Sequence, residues 1–442
     1  MNTYNINTDK ILDNLKIKEL NKMQLETIAS INNSDKIKLL SDTGSGKTLA
    51  FLIPLLNSLN PEIKDIQALI MVPSRELAIQ IENVLKQLQT GFKITACYGG
   101  HKREIEENNL IQPPAIIIGT AGRMADHIRR ENIKTGHIQF LVLDEFDKMM
   151  ELGFLEEMEF ILQSLPNVKK RMLTSATHAT EIPPFVQMEN AETLNFLSNE
   201  PKDANVLSIK IINSKDADKL NTLHDLICFL KNTSTIVFCN HRDAVERVSQ
   251  YLSEKGIVNV FYHGGMEQHE REVALCKFKN DSSNILVTTD LASRGLDIAN
   301  IRSVVHYHLP LTEDAFIHRN GRTARMDATG SVYLIIGPEE KTPDYVNQHV
   351  EQLTLPDNLS IPEKPKWSTL FIGSGKKDKI NKIDIVGFLT NKGKLKSNEI
   401  GLIEVKDFSA FVAVRKSKIG MVLEEIKNEK IKNKKVKIAI AK

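Results

Sequence analysis

Ser41-Asp42-Thr43-Gly44-Ser45-Gly46-Lys47-Thr48 follows the apolar run Ile37–Leu40 and precedes a helical pattern. A strand, a glycine loop and a helix start together form a phosphate cradle. Glycines let backbone N–H groups converge on phosphate oxygens, and the helix N-terminus favours negative charge. Lys47 is placed to reach the β- and γ-phosphates, and the Thr48 hydroxyl to join a Mg²⁺ shell. Ser41 stands where the strict pattern has Gly, so the loop is a variant.

Two further segments complete a triphosphate-cleaving set. In Leu141-Val142-Leu143-Asp144-Glu145-Phe146-Asp147 an apolar strand runs into paired carboxylates. Asp144 is expected to hold Mg²⁺ through water, and Glu145 to orient or deprotonate the attacking water. Further on, His318-Arg319-Asn320-Gly321-Arg322-Thr323-Ala324-Arg325 supplies cations. A helical reading puts Arg322 and Arg325 on one face, three residues apart. Cations of this kind are worth about 10³–10⁵ in rate. A GTP-specific reading fails: Asn21-Lys22-Met23-Gln24 lacks the Asp of the guanine motif and precedes the loop.

The layout around these segments occurs twice. Ala68–Val72 is a short apolar run followed by Pro73-Ser74-Arg75-Glu76 and the helical pattern 77–88. Thr235–Cys239 is a similar run, followed by Asn240-His241-Arg242-Asp243 and the pattern 244–252. At a similar offset, 115–119 recurs as 285–289 and 140–143 as 303–306. Continuous apolar runs alternating with helices predict buried parallel strands and βαβ units. We expect two tandem α/β domains, at 1–200 and 205–355, joined through 198–205. Prolines at 356, 362 and 365 mark a linker over 356–366. Beyond it, 367–442 reads as βαββαβ, the order of an RRM-like α+β sandwich.

Composition sets the limits. The 442 residues are 41% hydrophobic and 26% charged, which excludes wholesale disorder. The longest apolar stretch, 49–56, is too short to span a membrane. No secretory leader is read at the start, and a cytoplasmic location is expected. The four cysteines form no Cys-x-x-Cys pair, so reduced thiols are expected rather than zinc or disulfides. Net charge is only +2, but residues 361–442 carry +11 and the remainder −9. A basic tail on an acidic body points to a polyanionic partner, although a solvated lysine-rich surface fits the charge equally well.

Over roughly 15–345 the chain resembles a DEAD-box RNA helicase of superfamily 2, with the family's motifs in order. They are Gln24; Ser41–Thr48; Pro73-Ser74-Arg75-Glu76-Leu77-Ala78; Gly99-Gly100; Thr120-Ala121-Gly122-Arg123; and Asp144–Asp147. Ser175-Ala176-Thr177, Ile236–Asn240, Gln268 with Arg271, Thr288–Asp297 and His318–Arg325 follow. The resemblance implies two tandem RecA-like P-loop domains with parallel sheets, and one ATP with Mg²⁺ in the cleft between them. Gln24 would read adenine. Asp42, Thr43, Gly44, Ser45, Gly46, Lys47, Thr48 and Asp297 would complete the nucleotide site. Lys47, Asp144, Glu145, Arg322 and Arg325 would carry catalysis.

RNA contacts would come from Pro73, Arg75, Gly99, Gly100, Thr120, Gly122, Arg123, Asn240, Gly265, Thr289 and Arg294. Asp147, Ser175, Thr177 and His318 would couple hydrolysis to RNA binding. Closure on ATP and RNA would open a few base pairs, and hydrolysis would release the strand. The chain departs from the family pattern at Phe146 (usually Ala), Ser41 (Ala), Ser74 (Thr) and Ala121 (Pro), and at Asn7, where an aromatic is usual.

The tail resembles the RNA-binding domain of the DbpA subgroup, through 370–373, 375–380, 384–390, 400–405, 411–414 and 430–432. By that resemblance it docks on a hairpin of large-subunit ribosomal RNA through Lys376, Lys377, Lys379, Phe411, Lys432 and Lys434, and the protein acts as a monomer in ribosome assembly. Asn381-Lys382-Ile383 replaces the usual Arg-Pro-Gly, Asn433 replaces a Gly, and Ser409 stands where a stacking ring is expected. Competing expectations are a general RNA remodeller, a non-hydrolysing RNA clamp and a DNA-directed helicase of the same superfamily.

Overall fold

The computed structural model describes residues 8–42, 44–177, 181–197, 207–290, 301–323, 330–346 and 350–441. Thr43, Arg294, Asp297 and Arg325 lie outside these residues, as do Asn7 and the proposed connector 198–205. The chain divides into two compact units, one with the first sheet and the other with the second sheet and the tail.

The first sheet is built from β1 (Lys36–Ser41), β2 (Ala68–Val72), β3 (Ile94–Cys97), β4 (Ile116–Thr120), β5 (Phe140–Leu143), β6 (Lys170–Ser175) and β7 (Glu192–Phe196). Their order is β3-β4-β2-β5-β6-β1-β7, and the pairings are parallel. The apolar runs are continuous because both faces are covered. On β2, Ala68, Ile70 and Val72 enter one core while Leu69 and Met71 enter the other, the two-residue period dividing the strand between faces.

The second sheet repeats the plan with β8 (Leu207–Asn213), β9 (Thr235–Cys239), β10 (Val260–Tyr262), β11 (Ile285–Thr289), β12 (Ser303–His306), β13 (Gly330–Ile336) and β14 (Val350–Gln352). The order β10-β11-β9-β12-β13-β8-β14 matches the first sheet position by position. By that correspondence β8 takes the place of β1. Lys219, which follows β8 at the spacing by which Lys47 follows β1, is committed elsewhere: its ammonium is 2.7 Å from Glu340 and donates to the Ile335 carbonyl at 3.1 Å.

The tail forms a four-stranded antiparallel sheet from β15 (Trp367–Ile372), β16 (Ile400–Val405), β17 (Ala410–Arg415) and β18 (Ile438–Ile440), ordered β16-β17-β15-β18. Helices Lys382–Asn391 and Ile419–Ile426 complete the βαββαβ order. In the Lys/apolar alternation that runs over 435–440, a half-buried strand pattern, only the last three residues pair as a strand.

One face of this sheet is sealed within the second unit. Phe371 pairs with Phe411 across β15 and β17. Phe411 is only 1% exposed and packs with Ala441 against Val273 and Cys276 of the helix Gln268–Lys279. His269 lies edge-on to Phe371, with ring centroids 5.3 Å apart. Asn280 donates to the Thr369 hydroxyl at 2.9 Å, and the Cys276 thiol donates to Glu404. Phe411, expected to stack on RNA, is therefore turned into protein: the apolar alternation that presents a ring on a sheet face does not say what covers that face.

Candidate functional site

In the first unit, β1 delivers the chain into the glycine loop. Gly44 and Gly46 have φ of +81° and +93°, a region L-residues rarely adopt. At Gly46 a Cβ would also come within 2.6 Å of the Gln24 amide nitrogen and displace it. That nitrogen donates to the Gly46 carbonyl at 3.1 Å, and the Gln24 carbonyl oxygen accepts from the Asn21 N–H at 2.9 Å. Both ends of the amide are engaged, so Gln24 ties its helix, Lys22–Asn33, to the phosphate loop. The Ser41 hydroxyl, the variant position, donates to Ser45 at 2.8 Å and braces the loop from within.

Lys47 opens the helix Lys47–Asn57 and is buried. Its ammonium donates to the Ser41 and Asp42 carbonyls. Burial lowers its pKa, opposed by the charges of Asp144, Glu145, Asp147 and Asp42. Thr48 follows on the same first turn and is half-buried.

The carboxylates stand at the end of β5. Asp144 is 3% exposed and accepts from the Thr174 hydroxyl at 2.5 Å. Burial pushes its carboxyl up, against the Thr174 hydrogen bond and the Lys47 charge. Glu145 takes a left-handed backbone at φ +49°, ψ +52°, and its N–H donates to the same Thr174 oxygen at 3.2 Å. One hydroxyl thus fixes both expected catalytic carboxylate residues. Sequence reasoning missed Thr174. No residue pattern marks it: only the pairing of β5 with β6, Leu143 opposite Leu173, sets Thr174 beside Asp144. Ser175 and Thr177 bond each other, with the Thr177 N–H donating to the Ser175 hydroxyl at 3.1 Å. Phe146 leaves this cluster and fills the core with Leu143, Met149 and Leu173.

A second constellation gathers the first unit's expected RNA contacts. Ser74 caps the helix Arg75–Leu88, its hydroxyl accepting from the Leu77 N–H at 3.2 Å, so the departure from Thr keeps the cap. Gly100 has φ +96°, and a Cβ there would lie 2.0 Å from the Arg75 guanidinium. A cleft of about 520 Å³ is lined by Gly99, His101, Thr120, Gly122, Arg123 and Phe154, among others.

Behind the cleft sits Glu106, 1% exposed and also unforeseen. It accepts from the Tyr98 N–H at 2.8 Å, His101 at 3.0 Å, His127 at 2.7 Å and Arg123 at 3.1 Å. Burial would raise its pKa, but the bonds from His101, His127 and Tyr98 and the Arg123 charge bring it down to about 2. Cys97, Glu106 and His127 bring one donor atom each within 4.8 Å of one another. Asn132 donates to His127 Nδ1 at 3.1 Å, which puts the imidazole proton on Nε2, facing Glu106. Within the trio Glu106 and His127 form a hydrogen-bonded hub, their acceptors already met by protein donors.

In the second unit the hub is Arg319, 1% exposed. It donates to both oxygens of Asp290, to the His308 carbonyl at 2.6 Å and to Asn240 Oδ1 at 2.8 Å. Asn240 donates in turn to the Leu309 carbonyl at 3.1 Å. Its side chain, expected on RNA, is spent holding β9 to the loop after β12. The helix Glu313–Asn320 ends before Arg322, because Gly321 and the residues after it form a turn. Arg322 is 7% exposed on that turn, not on a helical face as the spacing predicted. His318 is nearly buried on the helix's last turn, Thr289 closes β11, and the Gly265 N–H donates to His263 Nδ1 at 3.1 Å.

On the tail, Lys432 pairs with Asp384 at 2.8 Å and Lys434 with Asp378 at 3.2 Å. Lys376, Lys377 and Lys379 are exposed, and among the described residues their ammonium groups make no ion pair.

Three family descriptions match the chain: DEAD/DEAH box helicase over residues 21–183, helicase conserved C-terminal domain over 218–327, and DbpA RNA binding domain over 369–440. The chain is 30% identical to the ATP-dependent RNA helicase DbpA of Bacillus subtilis, with 98% of each chain covered. It is 29% identical to the protein of the same name from Escherichia coli, with 98% of this chain and 96% of that one covered. Among solved structures it is similar to S. cerevisiae Dbp5 bound to RNA and ADP BeF3, at a TM-score of 0.69 and 25% identity, over 78% of this chain and 93% of that one.

Proposed function

Because this chain belongs to the DEAD-box family of ATP-dependent RNA helicases, we propose that its first RecA-like domain grips ATP through Lys47 and its glycine loop while RNA crosses both RecA-like domains. The observation that carries this reading is the Thr174 hydroxyl, which holds Asp144 and the Glu145 backbone together beside Lys47. Glu145 orients or deprotonates the attacking water. Arg322 and Arg325 stabilise the charge of the transferring phosphoryl group. Gln24, tied to Gly46, links adenine recognition to the loop.

The donor set also fits Mg²⁺. A carboxyl as buried as Asp144 ionises at a cost that a hard divalent cation offsets, and Thr48 offers a hydroxyl on the neighbouring first turn. Bound there, Mg²⁺ would neutralise phosphate charge.

Arg75, Gly100, Thr120 and Arg123 position the RNA backbone without reading sequence. We further propose that the basic tail directs the enzyme to a large-subunit ribosomal RNA hairpin, supported by the match to the DbpA RNA binding domain. The protein would work as a cytoplasmic monomer in ribosome assembly.

The test is ATP turnover by the purified full chain with and without RNA. Glu145→Gln should abolish RNA-stimulated hydrolysis while leaving RNA binding in place. Full turnover by that variant would remove Glu145 from the reaction. Equal affinity for a ribosomal hairpin and for random RNA would leave a general remodeller.

A further inference from the structure

The tail's covered sheet face raises the question of where a base could stack. An exposed aromatic lies elsewhere on the same domain. Phe408 sits in the turn between β16 and β17 and is 58% exposed, against 1% for Phe411. Exposing a ring costs hydrophobic free energy that a folded domain ordinarily recovers by burial.

The turn is clamped to the lysine-rich loop before the first tail helix. Lys376 N–H donates to the Lys406 carbonyl at 2.8 Å, and Lys377 N–H to the Asp407 carbonyl at 2.9 Å. Gly375 makes the clamp possible, since a Cβ there would lie 2.3 Å from the Lys406 carbonyl oxygen and 2.7 Å from the Ser409 nitrogen. The backbone bonds therefore fix Phe408 beside the exposed Lys376 and Lys377.

The charges around it are unevenly satisfied. Lys406 is neutralised by Glu404 at 2.8 Å, and Lys432 and Lys434 by Asp384 and Asp378. Among the described residues, Lys376, Lys377 and Lys379 have no such partner; Asp378 between them is paired with Lys434, and the exposed Asp407 is a further carboxylate nearby. An exposed ring carried on a clamped backbone beside unpaired cations is an arrangement that takes an unstacked base while the lysines take its flanking phosphates.

We propose that Phe408, with Lys376 and Lys377, is the tail's base-stacking site for an unpaired nucleotide of RNA, in place of the buried Phe411. The inference rests on the RNA-helicase reading above.

The test uses the full chain without nucleotide and a fluorescein-labelled RNA hairpin with an unpaired loop, beside the blunt duplex of the same stem. Phe408→Ala should weaken hairpin binding about tenfold or more, the usual cost of losing one stacked base. Phe408→Tyr should restore it, and duplex binding should change little. Replacing Lys376 and Lys377 with Gln should flatten the slope of log affinity against log salt by about 0.7 per lysine. Unchanged hairpin binding by Phe408→Ala, or equal losses for Ala and Tyr, overturns the site and leaves the helicase reading intact. A wild-type chain that binds neither RNA also overturns the site, while RNA-stimulated ATP turnover tests the helicase reading separately.

Discussion

Single hydroxyls and carboxylates decide much of this site. Thr174 sets the direction of Asp144 and, through the backbone, of Glu145. Hydrogen bonds to charged groups are worth about 1.5–3 kcal/mol, so Thr174→Val should lower the kcat of RNA-stimulated ATP turnover by roughly ten- to a hundredfold. Thr174→Ser should retain most of it, and steady-state kinetics of the two variants separates the hydroxyl from the lost volume. Glu106 supports a second prediction. Its folded pKa is depressed, from an ordinary 4.5 to about 2. The stability it contributes is fully present above the unfolded value and is lost as pH falls through the folded one. The contribution should be about 3 kcal/mol at neutral pH. Urea titrations at several pH values should show wild type exceeding Glu106→Gln by that amount at pH 7, the gap closing between about pH 4.5 and 2. Neither residue stood out in the sequence, because a lone Thr on a strand or Glu on a helix has no signature until the pairing register supplies its neighbours. Lys47, Asp144 and Glu145 stood out because spacing alone declares them.

At the scale of elements, the parallel strands were readable for a physical cause: both faces are covered, so nothing polar interrupts the runs on β2, β4 or β9. The helix read from 77 starts at Arg75, where the Ser74 hydroxyl caps it, a start that apolar periodicity does not register. The end of the helix before Arg322 was not readable either, since Gly321 closes it in a turn that periodicity misses. The tail's sheet was also half legible. Its order followed from alternation, but an aromatic on a sheet face reads the same whether it meets RNA or another helix. The packing of Phe411 predicts the cost of its loss: Phe→Ala in a core is worth about 3–5 kcal/mol. Phe411→Ala should destabilise the second unit by that order in chemical denaturation, with the first unit's ATP affinity unchanged.

For the whole molecule, an acidic body carrying a +11 tail was visible from counting alone, yet the count could not say which lysines remain unpaired. Folding decides that by placing Asp378, Asp384 and Glu404 against some lysines and leaving others in water. The same folding hides all four thiols. Cys97, Cys228 and Cys239 lie within the two core domains, whereas Cys276 is shut between the second core domain and the tail. Burial raises its pKa as well, so the reactive thiolate is scarce. An alkylating reagent can reach it only while the tail stands away from its helix. Peptide mapping after a brief iodoacetamide pulse should find Cys276 modified at least about tenfold faster in Phe411→Ala than in wild type, with Cys97 of the first unit unchanged. A single sulfur atom thereby serves as a clock for how often this enzyme's last domain lets go.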